Sequence, residues 1–60
     1  MRKLDELMEK QGKTVNDLAD ALGESYMVAW NKLNGRTKLK NTDKIVIAMW
    51  LGVSEKELED

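Results

Sequence analysis

Four glycines divide the 60-residue chain into short segments, and each segment has the apolar spacing of a helix. They are Gly12, Gly23, Gly35 and Gly52. Glycine is the residue that most easily adopts the left-handed conformation in which helices commonly end. Each glycine directly follows a helical pattern, and the chain contains no proline. The glycine spacing therefore predicts a series of short helices.

Apolar spacing and capping residues place five such helices. Helix 2 begins after the N-cap Thr14, and helix 3 begins after the N-cap Ser25. Helix 4 is capped by Asn41 or Thr42, and Ser54 opens the last helix. The predicted helices run from about Arg2 to Lys10, Val15 to Leu22, Tyr26 to Asn34, Thr42 to Leu51, and from Ser54 through Leu58.

These segments predict an all-α protein, because no part of the sequence alternates with the period of two that a strand requires. Only about three residues, including Gly23, separate helices 2 and 3, which is the spacing of a helix-turn-helix. We therefore predict one domain over residues 1–60, a compact bundle of five short helices with a helix-turn-helix formed by helices 2 and 3.

Composition excludes several kinds of protein. The chain has no Cys and no His, so it offers no disulfide, no thiolate metal site and no usual catalytic base or nucleophile. We therefore expect that the protein is not an enzyme and that it binds neither a cofactor nor a small-molecule substrate. The longest apolar run, Ile45 to Leu51, is far below the ~20 residues that span a bilayer. With no signal peptide visible at the N-terminus, we predict a cytoplasmic protein without membrane contact.

The charges are unevenly distributed, although the formal net charge is only −1. Residues 32–50 carry five basic side chains against Asp43 alone, a net of +4, whereas the net charge is zero over residues 1–10 and negative over residues 11–31 and 51–60. A local field of this kind can hold a phosphate backbone whatever the total charge. The alternative is a solvated polar loop, which is the more common explanation when charge is considered alone.

Three motif blocks resemble the Cro/repressor-type helix-turn-helix, also called the lambda repressor-like DNA-binding domain of phage and bacterial regulators. The similarity extends from Leu4 to Leu58, and we expect a complete small domain; the alternative is that these residues are the N-terminal piece of a longer repressor. The blocks are Leu18-Ala19-x-x-Leu22-Gly23-x-Ser25, then Asn34-Gly35-Arg36-Thr37, then Ile47-Ala48-x-x-Leu51-Gly52-Val53-Ser54 with Glu57-Leu58 behind it.

The resemblance implies a five-helix domain whose third helix enters the DNA major groove. By position, the residues that contact base edges would be Tyr26, Met27 and Asn31. Asn31 could bind adenine through two hydrogen bonds, and the Met27 side chain could pack on a thymine methyl group. The phosphate contacts would fall at Thr14, Ser25, Asn34, Arg36, Thr37, Lys38 and Lys40, with backbone N–H groups of the turn after helix 3 taking part.

The sequence departs from the family pattern at five positions. Val15 stands where many members have Gln, which removes one familiar phosphate contact. Lys32 and Lys44 occupy positions that are usually apolar and face the core, while Trp30 and Trp50 occupy positions that are usually small or polar. For Tyr26 and Met27, the alternative to DNA contact is partial burial in the core.

Helix 4 carries a second apolar stripe beside the one formed by Ile47, Ala48 and Leu51. An exposed apolar patch usually marks an interface, so we predict a two-fold dimer contact here. The alternative is that Trp50 folds over the rim of its own core. The residues of the predicted dimer interface are Val46, Met49, Trp50 and Val53.

Together these features predict a sequence-specific binder of double-stranded DNA, a transcriptional regulator or repressor that binds a palindromic operator as a homodimer. The alternative is a protein-interaction module, a helix-turn-helix scaffold that binds another protein through the surfaces of Trp30 and Trp50. The acidic balance and Val15 favour this alternative, and the basic segment favours DNA.

Overall fold

The computed structural model describes residues 2–58, which form four α-helices and a final 3-10 helix with no strand among them. The prediction of an all-α chain is confirmed for this range. Met1, Glu59 and Asp60, which belong to the predicted domain of residues 1–60, lie outside the described residues. The elements are α1 (Arg2–Lys10), α2 (Val15–Leu22), α3 (Tyr26–Leu33), α4 (Asn41–Leu51) and the 3-10 helix Glu55–Leu58.

One apolar core joins all five elements, and α2 is central to it. Helix α2 packs against both α3 and α4, and the 3-10 helix packs against α4 and α1. Three of the core residues are alanines, and small side chains allow helices to approach closely. The buried apolar residues are Leu4, Met8, Leu18, Ala19, Ala29, Leu33, Ile47, Ala48, Leu51 and Leu58.

The ends of α2 and the start of α3 follow the sequence prediction. Thr14 Oγ1 accepts the Asp17 N–H at 3.3 Å, while the Asp17 carboxylate accepts the Thr14 N–H at 2.9 Å. Ser25 Oγ accepts the Val28 N–H at 3.3 Å and so caps α3. Gly23 ends α2 in the left-handed conformation, with φ at +68°. A turn of three residues, 23–25, therefore joins two helices that pack against each other.

The boundaries around the loop between α3 and α4 differ from the prediction. The N-cap of α4 is Lys40 rather than Asn41 or Thr42, because the Asp43 carboxylate accepts the Lys40 N–H at 3.1 Å. Helix α3 ends at Leu33, one residue early, and Asn34 is its C-cap. The Asn34 side-chain amide donates to the Trp30 carbonyl at 2.9 Å, so it satisfies a carbonyl at the helix end.

The prediction of five helices is correct for four, since the fifth is a 3-10 helix of four residues. Only the Ser54 N–H to Glu57 Oε2 hydrogen bond of the expected capping box is present, at 3.4 Å. Four residues are too few to repay the cost of nucleating an α-helix, and short 3-10 turns are common as connectors and chain closures.

The loop between α1 and α2 is attached to the C-terminal end of α4. Gln11 Nε2 donates to the Leu51 carbonyl at 2.8 Å, and Lys13 Nζ donates to the Trp50 carbonyl at 3.1 Å. Lys13 Nζ also lies 4.8 Å from the centroid of the Trp50 ring. A cation is favourable at a helix C-terminus, where the unpaired carbonyls carry negative partial charge. Within residues 2–58 no helix has the length and apolar character needed to cross a membrane.

Candidate nucleic-acid interface

Helix α3 presents the predicted base-contacting residues away from the core. Its buried residues are Ala29, Lys32 and Leu33, which share one face at helical spacing. At 3.6 residues per turn, Met27 and Asn31 lie together on the opposite face. The Met27 side chain is 61% exposed, and Asn31 is half-buried. Tyr26 is also exposed, in the first turn of the helix, so neither Tyr26 nor Met27 is a core residue.

Ser25 precedes this face and is exposed. Its hydroxyl oxygen accepts the Val28 N–H, which leaves the hydroxyl proton free to be donated. The N-terminal end of a helix carries positive partial charge and favours anions. The start of α3 therefore combines a hydrogen-bond donor with a favourable field for a phosphate group.

The loop from Asn34 to Lys40 forms the basic part of the surface. Arg36, Thr37, Lys38 and Lys40 are all exposed. In the described part of the chain, none of the three basic side chains among them forms an ion pair. The guanidinium carbon of Arg36 lies 5.5 Å from the centroid of the Trp30 ring, a distance at which a cation is attracted to an aromatic face.

The first four residues of this loop do not offer the backbone N–H groups that the sequence led us to expect for phosphate. The N–H groups of Arg36 and Thr37 both donate to the Asn31 carbonyl, at 2.8 and 3.2 Å. Those of Asn34 and Gly35 donate to the carbonyls of Trp30 and Lys32. The last carbonyls of α3 lack partners within the helix and take these donors. A phosphate at residues 34–37 would therefore be held by side chains.

Thr14 is exposed but lies in acidic surroundings. It lines an open groove between α1 and α2 together with Asp5 and Glu9. The Asp17 carboxylate is bonded to its N–H, and the nearby Lys13 ammonium is occupied by Gln11 Oε1 and the Trp50 carbonyl. Among the predicted phosphate contacts, Thr14 therefore has the least favourable field. Val15 packs against the core and offers nothing in place of the missing Gln.

Lys32 takes a buried position that the sequence did not resolve. Only 5% of the residue is exposed, and its buried ammonium group is satisfied by hydrogen bonds. Its Nζ donates to both carboxylate oxygens of Glu24, at 2.8 and 2.9 Å, and to Asp43 Oδ2 at 2.9 Å. The charges of Lys32 and Asp43 therefore cancel. The net charge of +4 in residues 32–50 is carried by the other four basic residues: Arg36, Lys38, Lys40 and Lys44.

The ion-pair cluster of Lys32, Glu24 and Asp43 shifts the pKa of two of its members, Lys32 and Asp43. The hydrogen bond to Glu24 raises the pKa of Lys32, and it outweighs burial, which lowers it; the contact with Asp43 raises it further. Burial by itself would raise the pKa of the Asp43 carboxyl group. Hydrogen bonds from the Lys32 ammonium and the Lys40 N–H more than offset this, so the net pKa lies below its ordinary value. Both members stay charged at neutral pH.

The predicted dimer stripe on α4 is divided in two. Met49 is 78% exposed and Val46 is also exposed, whereas Trp50 and Val53 are half-buried and pack against the core. Trp50 thus folds over the rim of its own core, as the alternative held. Ile45 is exposed beside Val46 and was missed, although it stands four residues before Met49 and so shares its face.

No group of three or more potential metal-binding side chains occurs within residues 2–58. Comparison with known protein families, with curated proteins and with solved structures finds no match. The function therefore has to be argued from the motifs of the sequence and the geometry of this surface.

Proposed function

We propose that the protein binds double-stranded DNA sequence-specifically, as a transcriptional regulator of the Cro/repressor type, with α2 and α3 forming the helix-turn-helix. One observation carries the proposal. Helix α3 directs Met27 and Asn31 away from the core, and an exposed basic loop without ion pairs in the described range directly follows the same helix. A major groove admits an α-helix, and basic side chains beside such a helix can contact the neighbouring phosphates.

On this proposal the two ends of the surface have separate roles. Tyr26, Met27 and Asn31 contact base edges, with the Asn31 amide bonded to an adenine and the Met27 thioether packed on a thymine methyl group. Arg36 and Lys38, with the neighbouring Lys40, neutralise phosphates. Three such contacts in each copy release condensed counterions and contribute about −3 per bound copy to the slope of log affinity against log salt.

A homodimer on a palindromic operator completes the proposal. Two copies of α3 would then enter successive major grooves about 34 Å apart. The exposed apolar residues of α4, namely Ile45, Val46 and Met49, form the contact. Three side chains fall well short of the ~800 Å² per partner of a standard stable interface, so we propose that the dimer forms on DNA.

The alternative, a protein-interaction module, is favoured by one observation. Val28 is exposed next to Tyr26 and Met27, so the first turn of α3 is apolar as well as exposed. Such a patch is typical of a protein contact as well as of a groove-binding helix. The half-buried positions of Trp30 and Trp50 weaken the version in which these two tryptophans bind the partner.

In vitro selection from random duplex DNA at two salt concentrations tests the proposal. We expect recovery of a two-fold symmetric site, with affinity for it and for unrelated duplexes falling as salt rises, and with the selected site preferred at both concentrations. Enrichment of no sequence, together with affinity that does not depend on salt, would reject DNA binding and favour the protein-interaction module.

A further inference from the structure

The Lys32 ammonium connects two segments that are distant in sequence and that both belong to the proposed DNA-binding surface. Glu24 immediately precedes Ser25, the N-cap of α3, and Asp43 accepts the N–H of Lys40 at 3.1 Å. All three ammonium protons of Lys32 are directed to these two carboxylates. Both carboxylates are therefore held next to groups that would bind phosphate, but turned toward Lys32.

Stability alone is a weak reason for this arrangement. Replacing a buried ion-pair cluster by apolar side chains of similar size is often neutral or stabilising. Lys32 stands on the core-facing side of α3 with Ala29 and Leu33, where an apolar residue would fit the pattern. The position of the carboxylates is a more specific consequence of the lysine, because Lys32 is the only side-chain cation within ion-pair distance of either carboxylate among the described residues.

We propose that Lys32 is a positioning residue of the DNA-binding surface: it holds the Glu24 carboxylate inward, away from the phosphate that the start of α3 faces. The inference rests on the proposed DNA binding. Glu24 is the carboxylate that matters most, because its side chain is already 30% exposed and can turn to solvent once released. A carboxylate beside Ser25 would repel a phosphate within a few ångströms, at a distance where salt screens little.

The test measures the effect of Glu24→Gln on DNA affinity in two backgrounds, the wild type and K32M/D43N. Asp43→Asn prevents the loss of Lys32 from leaving a second unpaired carboxylate. The probe is a pool of random-sequence duplexes at low salt, because phosphate repulsion does not depend on sequence. The change in net charge is the same in both backgrounds, so any difference between the two factors reports the position of the carboxylate.

We expect Glu24→Gln to raise DNA affinity at most about twofold in the wild type and about fivefold or more in K32M/D43N. A difference of this size between the two factors is typical of residues that contact each other. Equal factors would overturn the proposal, since Glu24 would then act through net charge alone. If the wild type binds no duplex, DNA binding itself fails and Lys32 loses this role with it.

Circular dichroism must show that all four proteins are folded under the assay conditions. If K32M/D43N is unfolded, K32L/D43N with and without Glu24→Gln replaces it, because leucine suits a buried helical position. The same two outcomes, unequal or equal factors, then decide between positioning and net charge.

Discussion

At the residue scale, Asn31 and Lys38 are expected to contribute to DNA binding in different ways. Asn31 lies opposite the buried face of α3, where its amide can contact a base, and Lys38 lies on the loop that follows. Asn31→Ala should cost about 1–3 kcal/mol per bound copy on the selected duplex and relax the preference at one base pair of each half-site. Lys38→Ala should weaken binding to all duplexes similarly and reduce the salt slope by about one per bound copy.

Fluorescence anisotropy titrations on the selected duplex and on a scrambled duplex, each at several salt concentrations, measure both effects. Lys56→Ala is a matched control, because Lys56 is an exposed lysine in the 3-10 helix, outside the proposed surface. An Asn31→Ala variant that weakens both duplexes equally would argue against base contact by that residue.

A second residue-scale prediction concerns Asp43 and acid stability. The pKa of Asp43 in the folded protein is below its ordinary value of 3.8. The ionised Asp43 carboxylate therefore stabilises the fold at pH values above 3.8. The contribution is lost as pH falls through the lower pKa of the folded state. Asp43→Asn should therefore reduce the drop in urea midpoint between about pH 6 and about pH 3.

Urea unfolding followed by circular dichroism at the two pH values measures this drop. Asp20→Asn is the control, because Asp20 is exposed and its carboxylate has no partner among the described residues. An unchanged drop in Asp43→Asn would show that the Asp43 carboxylate is not paired in solution.

At the element scale, the orientation of α4 can be tested with one substitution made at two positions. Ile47 is fully buried, whereas Ile45, two residues earlier on the same helix, is 45% exposed. Ile47→Val should cost about 0.5–1.5 kcal/mol of unfolding free energy, because it removes a buried methyl group and leaves a cavity. Ile45→Val should stay within about 0.5 kcal/mol of the wild type.

The matched pair changes helix propensity equally, so the difference between the two variants reports burial alone. Chemical denaturation under identical conditions provides the measurement. Equal costs at both positions would mean that α4 is rotated relative to the core, and the exposed face assigned to the dimer would move with it.

At the scale of the whole molecule, the chain should be a monomer in solution that pairs on DNA. Met49→Ser removes the most exposed apolar side chain of α4 without adding charge. It should weaken binding to a two-half-site duplex about tenfold, which is about 1.4 kcal/mol, and leave binding to one half-site unchanged. Met49→Leu, which keeps the apolar surface, should behave like the wild type.

Sedimentation velocity of the free and DNA-bound protein gives the stoichiometry beside the titrations. A single copy on the palindromic duplex, or equal binding by wild type and Met49→Ser, would reject the dimer. Trp50→Ala is a poorer probe, because the Trp50 ring packs against the core and lies 4.8 Å from Lys13 Nζ, so its loss also disturbs the fold.

The positions of the helices could be predicted from the amino-acid sequence, because the signals that define them are local. Glycine ends, hydroxyl caps and apolar spacing depend on residues within one or two turns, and they located α1, α2 and most of α3 and α4. The exposure of Met27 was not predicted in this way, because spacing alone left partial burial in the core open for this residue. Where the prediction was wrong, at the start of α4, the decisive contact was a carboxylate bond to the Lys40 backbone instead of a cap from Asn41 or Thr42.

The environment of the charged and aromatic residues, by contrast, depends on how the helices pack against one another. The partners of Lys32 come from the turn before α3 and from α4, and those of Trp50 include a lysine 37 positions away. Such pairings depend on how the helices pack. A local sequence pattern does not predict which distant residue a long side chain will contact. The same packing divided the predicted dimer stripe, because Trp50 and Val53 gained contacts with the core while Met49 remained in solvent.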